Sequence, residues 1–266
     1  MPSSYDATGH TRVTRADIIA GLREVGLQPG DLVQAHSSLS SFGHVEGGAE
    51  AVVDALLEAV GPEGTLMVPT FNHMAREAFD GTDDIFDLRT TRSINGAITE
   101  AVRLRPEAHR SMHPTHPYAA IGARASWLIS EHLELTTFDE RSPLGKLVAV
   151  GGKIVLLGVG MNSNTAAHVA ETRAGAQCMG YRQSRRLVRL ADGSVIEAWG
   201  VVWRGPGKCK VEWQAIEGEL RRRGLIRDTR IGEAHVMLML GRDMVDVTHE
   251  LCLQMCPTCT IRPRYE

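Results

Sequence analysis

The sequence predicts a single α/β domain over residues 1–266, carrying one β-hairpin. Three observations predict it. The order helix, strand, helix, strand recurs over residues 14–71. The run IVLLGV (154–159) is apolar throughout, as in a strand covered on both faces. SRRLVRL and VIEAWGVVW meet at Asp192-Gly193, a hairpin turn.

In chain order, Thr14 is a suitable N-cap for TRADIIAGLREVG, whose Ile18, Leu22 and Val25 share one face with Ile19 beside it and Asp17 in the first turn. Pro29-Gly30-Asp31 turns the chain into the strand LVQAH, which stops in serines. A second amphipathic helix begins near Gly47-Gly48, and the turn GPEG leads into the strand TLMVPTF. Residues 72–92 break this rhythm with Glu77, Asp80, Asp83, Asp84 and Asp87, either a loop at the mouth of a site or a solvated surface. The helix NGAITEAVRLRP, the segment HRSMHPTHPYAAIG and the helix RASWLISEHL follow. After the IVLLGV strand, MNSNTAAHVAETRAG begins a helix, and VEWQAIEGELRRRG and GRDMVDVTHELCLQM give two closing helices.

Composition narrows the function. With 29 Lys plus Arg against 32 Asp plus Glu the net charge is −3, which gives no basic excess for nucleic acid. No apolar run reaches the roughly 18 residues a membrane span needs. The N-terminal segment lacks the pattern of a secretory signal, so a cytoplasmic protein is expected. Five cysteines, Cys178 and Cys209 isolated and Cys252, Cys256 and Cys259 clustered, suggest thiols or metal thiolates rather than a disulfide framework.

The candidate chemistry centres on Asn164-Thr165-Ala166-Ala167-His168-Val169-Ala170-Glu171. With Asn164 or Ser163 as cap, His168 and Glu171 fall three residues apart on one helical face. An imidazole beside a carboxylate is a general-base arrangement; the alternative is an ordinary surface pair. The position after an apolar strand favours the base, because open α/β sheets place ligands at the carboxyl ends of their strands. Gly158-Val159-Gly160 lacks the third glycine of a dinucleotide fingerprint, Ser163 standing in its place, and GxSxG, HExxH and GxxxxGK[ST] are absent.

The loop His36-Ser37-Ser38-Leu39-Ser40-Ser41-Phe42-Gly43 precedes a helix and offers amides and hydroxyls to a phosphate or an extended amide, or is a plain βα loop. Arg110 to Pro117 packs an arginine, His113, His116 and two prolines into eight residues, as a functional loop or as one whose histidines are structural, bonded to a backbone carbonyl. The acidic residues would attract a polycation if gathered at a cleft. Cys256-Pro257-Thr258-Cys259, with Cys252 four residues upstream, is a zinc knuckle if Cys209 or a histidine such as His249 supplies further ligands, or a set of free thiols.

Six segments in order, HSSLSSFGHVEGG, GPEGTLMVPTF, GAITE, RSMHPTH, SPLGKL and KIVLLGVGMNSNTAAHVAE, resemble the aminoglycoside 3-N-acetyltransferase family, the Antibiotic_NAT group. The resemblance runs from about Thr14 to the final helices. It implies a three-layer sandwich with a central mixed sheet, unlike the GNAT acetyltransferases, and a pantetheine tunnel meeting an acidic aminoglycoside cleft. It implies His168 as base on the 3-amino group, with Glu171 as partner. It assigns the path of acetyl-CoA to His36, Ser37, Ser38, Leu39, Phe42, Gly43, Ser111 and His113, and the aminoglycoside to Asp80, Asp83 and Asp84. In the apramycin-acetylating subgroup a terminal CxxC holds zinc, which points to Cys209, Cys256 and Cys259. Pro117 stands where many relatives carry serine, so no hydroxyl contact is expected there.

The residues fit that chemistry on their own terms. An alkyl ammonium must lose a proton to attack a thioester, and a positioned base is worth roughly 10²–10⁴-fold. Thr165 and nearby amides are candidate donors to the developing oxyanion. No nucleophile is set beside a base in sequence, so direct transfer is expected, in a monomer or homodimer. Two alternatives are an N-acyltransferase acting on another amine and a zinc-stabilised binding protein in which His168 and Glu171 merely pair.

Overall fold

The computed structural model describes residues 9–72, 85–134, 137–176, 181–202 and 211–260. Its centre is a seven-stranded sheet. From one edge to the other it contains β11 (Arg227–Ile231), β12 (Ala234–Leu240), β8 (Lys153–Leu157), β2 (Leu32–Ser37), β4 (Thr65–Pro69), β7 (Tyr118–Gly122) and β6 (His109–Arg110). β2 runs parallel to β4 and β8, and the remaining pairs are antiparallel. The sheet is therefore mixed, as expected.

Alternation along the strands explains the three layers. Val33 and Ala35, Leu66 and Val68, Val155 and Leu157 enter one apolar cluster with α1 (Arg15–Glu24), α2 (Gly48–Val60) and α3 (Ala97–Leu104). Leu32, Met67, Ile154 and Leu156 enter another with α4 (Ala125–Ile129), α5 (Pro143–Ala149), α6 (Ala166–Arg173), α7 (Trp213–Arg222) and α8 (Gly241–Met255). Both faces are covered, which is why IVLLGV carries no polar alternation. Gln34 and His36 share the parity of Leu32 and so place polar groups on the α4–α8 side.

The Thr14 cap is present as a capping box: its Oγ1 accepts from Asp17 N, and the Asp17 carboxylate accepts from Thr14 N. The hairpin forms between β9 (Tyr181–Arg189) and β10 (Val195–Val202), joined in parallel by β5 (Ile85–Asp87) over a small core of Phe86, Val188 and Ala198. A short pair, β1 (Arg12–Val13) and β3 (His44–Val45), ties the start of the described chain to the segment before α2.

Some elements depart from expectation. The helix expected over RASWLISEHL stops at Ile129, because Ser130 is extended and Glu131 takes a left-handed φ of 65°. β6, β7, α5, β11 and β12 were not anticipated.

Arg110 joins the two larger sheets. It is buried, with 7% of its surface exposed. It donates to Thr70 O and Oγ1 at 2.9 and 3.1 Å and to the carbonyls of Leu88 and Thr91 at 3.1 and 2.6 Å, and the guanidinium carbon lies 4.9 Å from the Phe86 ring centroid. Burial lowers its pKa to about 10, so the cation persists at neutral pH, held by neutral oxygens. Among the described residues no helix is long and apolar enough to cross a membrane.

Candidate active site

The parallel strands β2, β4 and β8 bring their carboxyl ends to one edge of the sheet, and the chain leaves that edge toward opposite faces after β2 and after β8. Such a switch point opens a crevice. The loop after β2 is fastened across it, with Ser38 N donating to Leu157 O at 3.0 Å and Ser41 Oγ to Gly158 O at 2.8 Å. Two glycines permit the close approach. Gly158 has φ +69°, and a Cβ there would stand 2.4 Å from the Ser41 Cβ; at Gly43, with φ +89°, it would stand 2.7 Å from Thr11 O.

The result is a cleft of about 760 Å³ walled by Ser37, Ser38, Leu39 and Gly43 from the loop, Gly48 at the start of α2, and Asn95 ahead of α3. Asn95 is fixed by its Oδ1, which accepts from Phe71 N at 2.7 Å beyond the end of β4. Ser37 Oγ is buried without a hydrogen-bond partner. The other four residues expected along the acetyl-CoA path do not line this cleft. Phe42 is fully buried in the cluster beneath α1–α3. His36 is 5% exposed, and burial lowers its pKa to about 4. Ser111 Oγ accepts from Tyr118 N and pairs with His132 Nδ1, both at 2.9 Å.

His113 is fully buried; its Nδ1 accepts from the backbone N–H of His116 at 3.0 Å and of Thr115 at 3.3 Å, and burial takes its pKa to about 3. Ser111 and His113 thus hold their own loop by accepting from backbone amides. Pro117, lacking a hydroxyl, contributes its carbonyl to Thr70 N at 2.8 Å.

On the other side of the edge stands α6. Asn164 Oδ1 accepts from Ala166 N at 3.2 Å, which satisfies one of the helix's open amides. Thr165 precedes the first helical residue, and its Oγ1 accepts from Gln34 Nε2 at 3.3 Å. One turn on, His168 Nδ1 meets Glu171 Oε2 at 2.7 Å. The Glu171 side chain is 7% exposed and that of His168 28%. With Nδ1–H given to the carboxylate, a neutral His168 ring carries its lone pair on Nε2. Phe138, 4.8 Å away between centroids, and Trp213, at 6.2 Å, flank the ring.

Sequence reasoning missed Gln34, Asn95, Phe138 and Trp213. Only Gln34 carried a signal, as an amide inside an apolar strand; the two aromatics reach His168 from distant segments. Asp80, Asp83, Asp84 and Cys209 lie outside the described residues. Cys256 and Cys259 are half-buried just after α8, and Cys252 is buried. Among the described residues no group of three or more His, Cys, Asp or Glu side chains could hold a metal ion, so the knuckle gains no support as a zinc site.

A family model for aminoglycoside 3-N-acetyltransferase matches residues 35–252. The chain belongs to that family. It is 32% identical over 266 residues to aminoglycoside N(3)-acetyltransferase VII of Streptomyces paromomycinus, covering 88% of this chain and 89% of that protein. Among solved structures, aminoglycoside acetyltransferase AAC(3)-Xa superposes with a TM-score of 0.81 at 30% identity, over 92% of this chain and 94% of that one. AAC-IIIb in its binary complex with CoASH gives a TM-score of 0.78 at 26% identity, over 92% and 97%. This acetyltransferase is thus an enzyme with the mixed-sheet fold of its family.

Proposed function

We propose that this acetyltransferase moves an acetyl group from acetyl-CoA to the 3-amino group of a 2-deoxystreptamine aminoglycoside, and thereby confers resistance, with His168 as general base. The observation that supports it most is the pairing of His168 with a buried carboxylate on the same sheet edge as the serine-walled cleft.

The cleft suits the coenzyme. Ser37 Oγ is a buried polar atom awaiting a partner, and Gly43 keeps the backbone open where a side chain would collide. Ser37, Ser38, Leu39 and Gly43 would hold the pantetheine and phosphate portion, with Asn95 on the facing wall. When bound, acetyl-CoA supplies an activated thioester. His36, Phe42, Ser111 and His113 would act from behind, by fixing the shape of the wall.

His168 Nε2 takes a proton from the attacking amine as the new N–C bond forms; the C–S bond breaks, and the proton leaves with the thiol as CoASH. Glu171 keeps the ring oriented and stabilises the imidazolium. Thr165 donates to the carbonyl oxygen as it gains charge. Asp80, Asp83 and Asp84 supply negative charge for a polycationic sugar.

The test is turnover. Purified protein given acetyl-CoA and gentamicin or apramycin should release CoASH, read with a thiol reagent, in proportion to an acetylated antibiotic seen by mass spectrometry. Absence of release across a panel of 2-deoxystreptamine aminoglycosides, with release on another amine, would replace the substrate assignment.

A further inference from the structure

Beneath the first turn of α6 the sheet presents polar groups for which apolar packing gives no reason. Gln34 is fully buried in the middle of β2. Its Nε2 donates to Thr165 Oγ1 at 3.3 Å, while its Oε1 is buried without a partner. The Tyr118 hydroxyl is buried without a hydrogen bond of ordinary geometry, yet it faces the same Thr165 hydroxyl. Burial raises its pKa, which keeps it a protonated donor. An unpaired amide oxygen in a core costs stability, and a leucine of similar size would avoid that cost. Groups kept at such a cost mark places where function competes with packing.

Hydroxyl valence gives the reason. A threonine hydroxyl has two lone pairs and one proton. The Gln34 amide occupies one lone pair, which leaves the hydroxyl proton for another acceptor. Thr165 and His168 are three residues apart and share a helical face, and His168 N donates to Thr165 O at 3.0 Å. Thr165 therefore stands one turn ahead of the imidazole on α6.

We propose that Gln34 is a positioning residue for acetyl transfer: it fixes the Thr165 hydroxyl as a preorganised donor to the acetyl carbonyl oxygen, with Tyr118 as a second support. This rests on the acetyl-transfer reading above. The oxygen gains charge as the N–C bond forms and loses it as the C–S bond breaks; Thr165 hydrogen-bonds throughout and gives up no proton.

A double-mutant cycle tests it, with kcat, both KM values and Tm measured for every variant. Thr165→Val and Thr165→Ala are read together, so that loss of the hydroxyl is separated from any packing effect, and each should lower kcat on the order of 10²-fold. Thr165→Ser should restore most of it. Gln34→Leu should lower kcat about tenfold with KM for acetyl-CoA unchanged, and its Tm should match or exceed the wild type because the unpaired oxygen is gone. The Gln34→Leu/Thr165→Val double variant should be no slower than Thr165→Val alone. Multiplying effects in the double variant, or an unchanged kcat in Gln34→Leu, would overturn the proposal while leaving His168 as base. Full turnover in His168→Ala would instead sink the reading on which it rests.

Discussion

His168 lies 28% exposed against a carboxylate, whereas His113 is fully buried against two backbone amides. The contrast separates an imidazole paired with a carboxylate from one that burial keeps neutral. A charged His168 has Glu171 as counter-ion and water within reach. A charged His113 would have neither, and two N–H groups already point at its Nδ1. Both rings are histidines in conspicuous sequence motifs, and only their surroundings set them apart.

The widest gap between the two should appear on truncation. His168→Ala should lower kcat/KM by roughly 10²–10⁴-fold with Tm unchanged. A variant that keeps its rate would remove the distinction. His113→Ala should do the opposite. It strands two buried amides, so the expected loss is about 3 kcal/mol of stability, seen as a fall in denaturation midpoint, with near-normal activity in the fraction that stays folded. Activity lost ahead of stability would move His113 into the chemistry.

A further difference shows in acid. Burial holds His113 at about 3 and His36 at about 4, both below the ordinary 6.5. The unfolded chain therefore binds more protons than the folded one between 6.5 and those values. Above about pH 6.5 neither ring has any effect; as the pH falls from there each lowers stability by up to about 1.4 kcal/mol per pH unit, the loss levelling off near 4 for His36 and near 3 for His113. Urea titrations between pH 7 and 4 should show the slope, and a flat profile would mean that the buried rings do not stay neutral.

Much of the framework was legible because its signals are local. The Thr14 cap, the turns that open the short apolar runs of β2 and β4, the uninterrupted apolar run of β8 and the Asp192-Gly193 turn each specify their element within a few residues. The elements that escaped depend on partners far away in sequence. β7 is YAAIG, whose small residues have little strand preference; pairing with β4 makes it a strand. β12 is AHVMLML, rich in residues that suit a helix equally well, and pairing with β8 decides it. β11, RDTRI, is an edge strand whose charges face solvent.

The site divides in the same way. The spacing of His168 and Glu171 is a property of one helix and could be read directly. The support from Gln34 spans 131 positions and required the sheet to be assembled first.

Arg110 carries a last consequence. Its four acceptors are uncharged oxygens on both sides of the stretch from Thr70 to Thr91, whereas a contact such as Arg221 with Asp228 is an ion pair that added salt screens. A lysine could not stand in, because a point ammonium lacks the flat, forked set of donors that reaches all four. The junction between the two sheets therefore depends on the geometry of one forked donor set more than on paired charges.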